Sequence, residues 1–316
     1  MKILANDGIS QSGIDDLTTA GFKVLTTTVA QEQLVTFINS ENIVALLVRS
    51  ATTVRQDLID ACPGLKIIGR GGVGMDNIDV AYAREKGLNV INTPAASSES
   101  VAELVFAHLF SGVRFLYDSN RSMPLEGEKK FKNLKKAYAK GTELRGKTLG
   151  VIGFGRIGQA TAKMALGLGM KVIAFDPFME KTTVSLSFYD GQTVDFEIKT
   201  VSKETVLKES DFITLHVPAQ KDFVIGEAEL DMMKEGAALI NAARGGVVNE
   251  VALVAALDTN KLSFAGLDTF ENEPTPAVQI LMNSKISLTP HIGAATNQAQ
   301  DRIGSELASQ IISILK

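Results

Sequence analysis

The sequence predicts an α/β protein of two domains, each built around a parallel β-sheet. The chain has 316 residues, more than a single hydrophobic core usually holds. Short apolar runs alternate with helix-like segments over residues 2–92 and again over 148–288. This alternation is the pattern of repeated strand–helix–strand units, which place helices on both faces of a parallel sheet.

The first series predicts a complete domain before the middle of the chain. Its apolar runs are Ile3–Ala5, Val24–Thr26, Ile43–Val48, Leu65–Ile68 and Leu88–Ile91, and its helix-like segments include Gln31–Asn39, Val54–Ala61 and Ile78–Lys86. Asn92-Thr-Pro94 breaks the pattern. Ser100 and Glu103 have the spacing of a capping box ahead of an apolar helix, Val101–Phe115, which we interpret as the crossing into the second domain.

A glycine motif opens the second series and predicts a dinucleotide site. An apolar strand runs into Gly153-x-Gly155-x-x-Gly158, and a helix-like segment and a second apolar run ending in Asp176 follow. Gly153 permits the tight turn, Gly155 lets the backbone approach a pyrophosphate, and Gly158 lets the helix pack on its strand. The helix N-terminus attracts phosphate, and Asp176 is placed to accept ribose hydroxyls and to repel a 2′-phosphate. The motif therefore favours NAD over NADP.

The remaining sequence predicts four more strands and three other features. The strands are Phe212–His216, Ala238–Asn241, Phe264–Asp268 and Ile286–Leu288. Alternating residues on either side of Asp190-Gly191 predict a β-hairpin over 184–198. The helical spacing from Ala295 to Leu315 predicts a helix that returns to the first domain. Six lysines between 129 and 140 are typical of a solvated helix face.

Composition excludes several classes of function. A net charge of −4 does not favour nucleic-acid binding, and no apolar stretch is long enough to span a membrane. The chain begins directly with a strand pattern, so we expect no signal peptide. The single cysteine, Cys62, fits a reducing compartment, and we expect a cytoplasmic protein. No metal site is expected.

The three histidines allow a choice of the acid–base group. His108 lies inside an apolar helix and is interpreted as a core residue, and His216 either lines a cofactor pocket or begins a loop. His291 directly follows a strand and is the best acid–base candidate, because imidazole titrates near neutral pH. Glu273 follows another strand end and can orient that imidazole, while the guanidinium of Arg244 suits a substrate carboxylate.

Several segments together resemble the D-isomer-specific 2-hydroxyacid dehydrogenase family nearly end to end. They are residues 72–79, the glycine motif at 153–158, residues 233–248, residues 266–274 and Pro290-His-Ile-Gly-Ala294. The family carries arginine, glutamate and histidine in that order, and Arg244, Glu273 and His291 occupy those motif positions. Of two nearby acids, the one before proline matches, so Glu273 is expected rather than Glu271.

The resemblance implies the fold, the cofactor and the remaining site residues. It implies a flavodoxin-like substrate domain (1–97 with 291–316) and a Rossmann-type NAD-binding domain (98–290), with a cleft between them. The implied cofactor contacts are Gly153, Gly155, Arg156, Ile157, Gly158, Asp176, His216, Val217, Pro218, Ala242, Ala243, Arg244, Asp268, His291 and Gly293. Asp268 would hold the nicotinamide carboxamide. The implied substrate contacts are Arg49, Ser50, Arg70, Gly72, Val73, Gly74 and Lys136.

The two arginines at 49 and 70 predict a substrate with a second anionic group, and D-3-phosphoglycerate is the expected phosphorylated D-2-hydroxy acid. Glycerate, hydroxypyruvate or another D-2-hydroxy acid is the nearest alternative, and an NAD-sensing protein of the corepressor type is an alternative of another class. The family implies a homodimer or a higher homo-oligomer, formed through residues 98–145. Because Lys316 follows His291 closely, no C-terminal regulatory domain is expected.

Overall fold

The computed structural model describes every residue from Met1 to Lys316, and its contacts divide the chain into two compact units. Unit 1 consists of residues 1–100 and 294–316, and unit 2 consists of residues 101–293. Each unit has a central β-sheet in which all strands run parallel. The predicted fold class is therefore confirmed.

Unit 1 contains a five-stranded sheet with the order β2-β1-β3-β4-β5. Its strands are β1 (Lys2–Ala5), β2 (Lys23–Leu25), β3 (Ile43–Val48), β4 (Ile67–Arg70) and β5 (Asn89–Asn92). Its helices are α1 (Gln11–Thr19), α2 (Leu34–Glu41, after a 3₁₀ turn at Gln31–Gln33), α3 (Gln56–Ala61), α4 (Val80–Glu85) and the C-terminal α12 (Asn297–Leu315). Helix α12 packs against α1, so the predicted return of the chain to the first domain is confirmed.

Both faces of this sheet are apolar, as expected for a parallel sheet covered by helices on each side. Leu46 and Ile68 belong to one buried cluster, and Leu47 and Ile67, their neighbours along the strands, belong to the other. The uninterrupted apolar runs in the sequence reflect this double burial.

Unit 2 contains a six-stranded sheet with the order β13-β12-β11-β10-β6-β7. Its strands are β6 (Thr148–Ile152), β7 (Lys171–Phe175), β10 (Phe212–Leu215), β11 (Ala237–Asn241), β12 (Leu262–Leu267) and β13 (Ile286–Leu288). Its helices are α5 (Ser98–Val113, which begins in the last residues of unit 1), α6 (Leu116–Ala137), α7 (Arg156–Gly167), α8 (Lys203–Glu209), α9 (Glu227–Met232), α10 (Glu250–Asp258) and α11 (Val278–Leu281). The strand order reverses between β6 and β10, and ligands of such sheets bind beyond the carboxyl ends of the strands at this point.

The predicted hairpin is present and is longer than expected. Strands β8 (Lys181–Ser187) and β9 (Thr193–Lys199) pair antiparallel, with Val184 opposite Phe196. Val184 and Ile198 are buried in the core of unit 2, and Leu186 lies against Gly167 of α7. The base of the hairpin is therefore part of the core, because the apolar face of that end covers α7. Its outer half is exposed, with Tyr189 fully accessible.

The start of α5 corrects one prediction and α6 confirms another. Helix α5 begins at Ser98, so Ser100 lies inside its first turn and does not cap it. The Ser100 hydroxyl instead lies 2.8 Å from the Thr296 hydroxyl, a partner that is remote in sequence. Helix α6 has no buried residue, and all the lysines between 129 and 140 are exposed, as predicted for a solvated face.

None of the helices combines the length and the apolar character that a membrane crossing requires.

Candidate active site

The glycine motif forms a turn between β6 and α7 that only glycine fits at two positions. Gly153 has a φ of +91°, in the left-handed region, and a Cβ there would lie 2.5 Å from the carbonyl oxygen of His216. A Cβ on Gly158 would lie 2.2 Å from the carbonyl oxygen of Gly153. No atom lies within 4 Å of the place where a Cβ of Gly155 would be. This open position at the N-terminus of α7, beside the exposed Arg156, fits the approach of a pyrophosphate.

Asp176 follows β7 and is tied to the same turn. Its Oδ2 accepts the backbone N–H of Phe154 at 2.8 Å, and its Oδ1 accepts the N–H of Phe178 at 2.9 Å. The residue is half-buried. Because each carboxylate oxygen offers two lone pairs, one acceptor position on each oxygen remains beyond these bonds. These free acceptor positions fit ribose hydroxyls, and the role of Asp176 as the ribose ligand stays a prediction.

His216 follows β10 on the other side of the turn. Its Nε2 lies 3.1 Å from the Thr214 hydroxyl, while its Nδ1 is buried and has no hydrogen-bond partner. Burial lowers the pKa of His216 to about 3, so the ring is neutral near pH 7. A buried, unpartnered ring nitrogen beside the glycine turn is consistent with a ligand there. Val217 is half-buried and Pro218 is exposed beyond it.

Three further candidates follow three neighbouring strands. Arg244 comes after β11, Asp268 directly follows β12, and His291 comes after β13. Because the carboxyl ends of parallel strands meet at one edge of a sheet, the strand order β13-β12-β11 brings these residues to the same edge.

The predicted contact between Glu273 and His291 is present. Oε2 of Glu273 lies 2.8 Å from Nδ1 of His291, and Oε1 accepts the backbone N–H of Phe270 at 3.0 Å. Both oxygens of the Glu273 carboxylate are therefore hydrogen-bonded. An Nδ1–H that donates to Glu273 leaves Nε2 as the ring atom that can accept a proton. His291 also has a φ of +54°, a strained conformation of the kind that recurs at functional sites.

The neighbouring acid, Glu271, has a different role. Its Oε1 accepts the N–H of Glu250 at 2.8 Å, and its own N–H donates to Oε1 of Glu250 at the same distance. This reciprocal pair ties the loop after β12 to the start of α10. The choice of Glu273 over Glu271 as the partner of His291 therefore agrees with the geometry.

Arg244 lies in a loop that packs against the Glu273 segment. A Cβ on Gly245 would lie 1.8 Å from the carbonyl oxygen of Phe270, so only glycine lets the two loops approach this closely. Nη1 of Arg244 donates to the carbonyl of Ala243 at 2.6 Å, and Asn241 donates to the Arg244 carbonyl at 2.9 Å. Ala242 and Ala243 lie in the same turn, half-buried and buried respectively.

Asp268 has a function that the sequence did not reveal. Its side chain is buried, and its two oxygens accept the backbone N–H groups of Ile292 and Gly293 at 2.8 Å each. The Thr289 hydroxyl also donates to Oδ1 at 2.6 Å. Asp268 therefore fixes the loop that carries His291. A polar residue at a strand end was visible in the sequence, but its partners were not.

The predicted substrate residues of unit 1 lie beside one another at the ends of β3 and β4. A Cβ on Gly71 would lie 3.5 Å from Cγ of Arg49, and one on Gly72 would lie 1.6 Å from Nη1 of Arg70. Nη1 of Arg70 also donates to the carbonyl of Gly71 at 3.2 Å. The two arginines thus flank the glycine segment that leads to Val73 and Gly74. Asn92 donates to the Val73 carbonyl at 2.7 Å and supports this segment.

The remaining sequence candidates have simpler surroundings. Ser50 is exposed beside Arg49 in unit 1, and Lys136 is exposed near the end of α6 in unit 2. His108 is buried, as predicted for a core residue. Asn249 caps α10 by accepting the N–H of Ala252.

Comparison with known proteins gives a consistent result. The sequence model of one protein family, described as D-isomer specific 2-hydroxyacid dehydrogenase, NAD binding domain, matches residues 106–293. The chain is 44% identical over 275 residues to a hydroxypyruvate reductase of Thermotoga maritima, with 85% of this chain and 84% of that protein covered. It is 38% identical over 320 residues to a D-3-phosphoglycerate dehydrogenase of Archaeoglobus fulgidus, covering 100% of this chain but 58% of that protein.

A solved structure resembles the whole chain. The D-lactate dehydrogenase of Aquifex aeolicus, solved with NAD and lactic acid, has 30% sequence identity and a TM-score of 0.75. The likeness covers 100% of this chain and 95% of that one.

Proposed function

Because this chain belongs to the D-isomer specific 2-hydroxyacid dehydrogenase family, with residues 106–293 as its NAD-binding domain, we propose that it oxidises a D-2-hydroxy acid with NAD⁺. The observation that carries the proposal is the Glu273–His291 pair, which stands at the strand-end edge that also carries Arg244. This arrangement supplies a proton acceptor and a carboxylate-binding cation at the carboxyl end of the sheet. The same sheet carries the glycine turn between β6 and α7, which suits a dinucleotide.

The residues that would hold the cofactor lie in the turn between β6 and α7 and directly after β7. The glycines at 153, 155 and 158 and the N-terminus of α7 would bind the pyrophosphate, and Asp176 would bind the adenosine ribose. When bound, NAD⁺ supplies the hydride acceptor. Arg244 would bind the substrate carboxylate, and Nε2 of His291 would accept the hydroxyl proton. Glu273 would then stabilise the imidazolium ion that results.

We further propose that the substrate is D-3-phosphoglycerate, oxidised to 3-phosphohydroxypyruvate, the first step of serine biosynthesis. Arg49 and Arg70 support this choice, because a phosphorylated hydroxy acid has a second anionic group that needs cationic partners. Hydroxypyruvate and glycerate are the alternative substrates. The higher identity to a hydroxypyruvate reductase favours them, as does the contact of the Arg70 guanidinium with the Gly71 carbonyl, which already occupies one of its donors.

The experiment is NADH formation with D-3-phosphoglycerate and D-glycerate, for the wild type and for Arg49→Ala/Arg70→Ala. Charge-assisted hydrogen bonds contribute about 1.5–3 kcal/mol each, so loss of both arginines should lower kcat/KM for phosphoglycerate roughly 10²–10⁴-fold. The activity on glycerate should change much less. Equal use of both substrates by the wild type would contradict the phosphate assignment and leave the dehydrogenase assignment intact.

Absence of turnover with every D-2-hydroxy acid, while NAD binding persists, would instead favour an NAD-sensing protein.

We also propose that the chain forms a homo-oligomer through residues 98–145, where α6 buries no side chain of its own. Substitution of exposed apolar residues of α6, such as Leu125→Glu, should lower the molar mass measured by light scattering.

A further inference from the structure

A chain of hydrogen bonds, buried at His108 and Asp268 and half-buried at Ser287 and Thr289, connects helix α5 to the loop of His291. Ser287 Oγ lies 2.9 Å from Nδ1 of His108, and Nε2 of His108 lies 3.1 Å from Oγ1 of Thr289. Oγ1 of Thr289 lies 2.6 Å from Oδ1 of Asp268. The chain therefore begins on β13, passes through a histidine of α5, and ends on the carboxylate after β12.

The direction of each bond follows from the two ends of the chain. Oδ1 of Asp268 accepts from Ile292 N–H and from the Thr289 hydroxyl, so the proton of that hydroxyl is committed. The Thr289 oxygen can then only accept, which requires a proton on Nε2 of His108. Burial lowers the pKa of His108, opposed by the nearby charge of Asp268, so the ring is neutral near pH 7. Its Nδ1 therefore accepts from the Ser287 hydroxyl.

The chain ends at the groups that fix the catalytic loop. Asp268 accepts the N–H groups of Ile292 and Gly293, which directly follow His291. From these contacts we propose that His108 is a positioning residue, which orients Thr289 and Asp268 and thereby holds the loop of His291 in place. The part of this inference that concerns catalysis rests on the proposed dehydrogenase function.

The packing around His108 supports a specific role beyond filling space. A Cβ on Gly266 would lie 2.7 Å from Cβ and 2.9 Å from Cγ of His108, so the glycine of β12 leaves the room that this ring occupies. The side chain is 2% exposed. The buried His108 ring needs a hydrogen-bond partner for each nitrogen, because an unpaired polar group inside a protein is costly. Loss of the ring would also leave the half-buried Thr289 oxygen without this donor. An apolar residue would fill the same volume without that requirement.

Residue-resolved amide hydrogen exchange tests the proposal without depending on turnover. In His108→Leu, the amides of Ile292 and Gly293 should exchange at least about tenfold faster than in the wild type. The amides of Phe154 and Phe178 are bonded to another carboxylate of unit 2, Asp176, and should keep their protection. His108→Gln keeps a side-chain donor and should retain most of the protection at Ile292 and Gly293. Unchanged exchange of these two amides in His108→Leu would overturn the proposal, as would a uniform increase at all four sites.

Kinetics then test the consequence for His291. His108→Leu and Thr289→Val should each lower kcat about 10- to 100-fold, because small displacements of a catalytic group are costly, while NADH affinity stays within about twofold. The double variant should be no slower than the slower single variant, since both changes break the same chain. Thr289→Ser restores the hydroxyl and should restore kcat. Ser210→Ala is the control, because it removes a buried hydrogen bond from the Ser210 hydroxyl to the Val206 carbonyl at the end of α8, outside the His108 network. This variant should keep the kcat of the wild type.

Additive losses in the double variant, or a Thr289→Ser variant as slow as Thr289→Val, would contradict the positioning role. If the wild type oxidises no D-2-hydroxy acid, the proposed function fails, and the exchange measurement still decides whether His108 holds the loop.

Discussion

Oε2 of Glu273 lies 2.8 Å from Nδ1 of His291, and the other oxygen of the same carboxylate accepts the N–H of Phe270. The carboxylate is therefore oriented by the backbone before it orients the imidazole. Such a geometry selects one ring tautomer and directs Nε2 away from Glu273.

The first prediction concerns this pair. His291→Ala should lower kcat roughly 10²–10⁴-fold, the usual range for loss of a general base, with NAD binding nearly intact. Glu273→Gln should cause a smaller loss, because an amide oxygen can still accept from Nδ1 but no longer stabilises the imidazolium. Glu271→Gln is the matched control and should turn over like the wild type, since Glu271 pairs with the Glu250 segment. Steady-state kinetics and NADH binding measure both effects, and near-normal turnover of His291→Ala would remove this residue from the mechanism.

The second prediction concerns cofactor choice. Asp176→Ala should weaken NAD binding roughly tenfold or more, because charge-assisted bonds to the ribose are lost, and should relax the rejection of NADP. The same change also frees the N–H groups of Phe154 and Phe178. Asp176→Asn separates the two effects, since its amide oxygen can still accept one of these bonds while the negative charge is absent. Titration of both variants with NADH and NADPH measures the preference, and an unchanged ratio in both would show that Asp176 is not the ribose ligand.

The third prediction concerns the hairpin. Replacing residues 187–193 with a short turn should leave the hydride step intact, because the outer half carries no candidate catalytic group. Removal of the base should behave differently, since Val184 is 1% exposed and packs in the core of unit 2. Val184→Ala should lower the free energy of unfolding by about 1–3 kcal/mol, as expected for a truncated core side chain. Chemical denaturation and single-turnover kinetics test the two parts, and a lost hydride step in the shortened variant would contradict the prediction.

The fourth prediction concerns His216 and pH. In the folded protein the pKa of His216 is lowered by burial to about 3, against an ordinary value of 6.5. Between these values the unfolded chain binds a proton that the folded protein does not, so this residue makes the free energy of unfolding fall as the pH drops from about 6.5 towards 3. His216→Asn should therefore show a shallower loss of stability on acidification. Urea denaturation from pH 7 to pH 4 measures the slope. Parallel wild-type and variant curves over that range would show that His216 is not buried in its neutral form.

The sequence by itself determined the local features of this protein. Apolar runs and glycine spacing located most strands within two or three residues, because both faces of a parallel sheet demand continuous apolar side chains. Gly153 and Gly158 were identifiable because their requirements, a positive φ and a close helix–strand contact, are local to the turn. Arg244, Glu273 and His291 could also be identified from the sequence, because each follows a strand that the apolar pattern locates.

Tertiary structure alone decided which side chains meet across long stretches of sequence. Ser100 has the spacing of a helix cap, yet its hydroxyl contacts Thr296, and the core histidine at 108 contacts Ser287 and Thr289. The hairpin's alternation was local, but the burial of Val184 depends on α7 lying beneath it. Hydrogen bonds and packing between elements follow from strand order and loop paths. These depend on the free energy of the whole fold, which no short window of sequence contains.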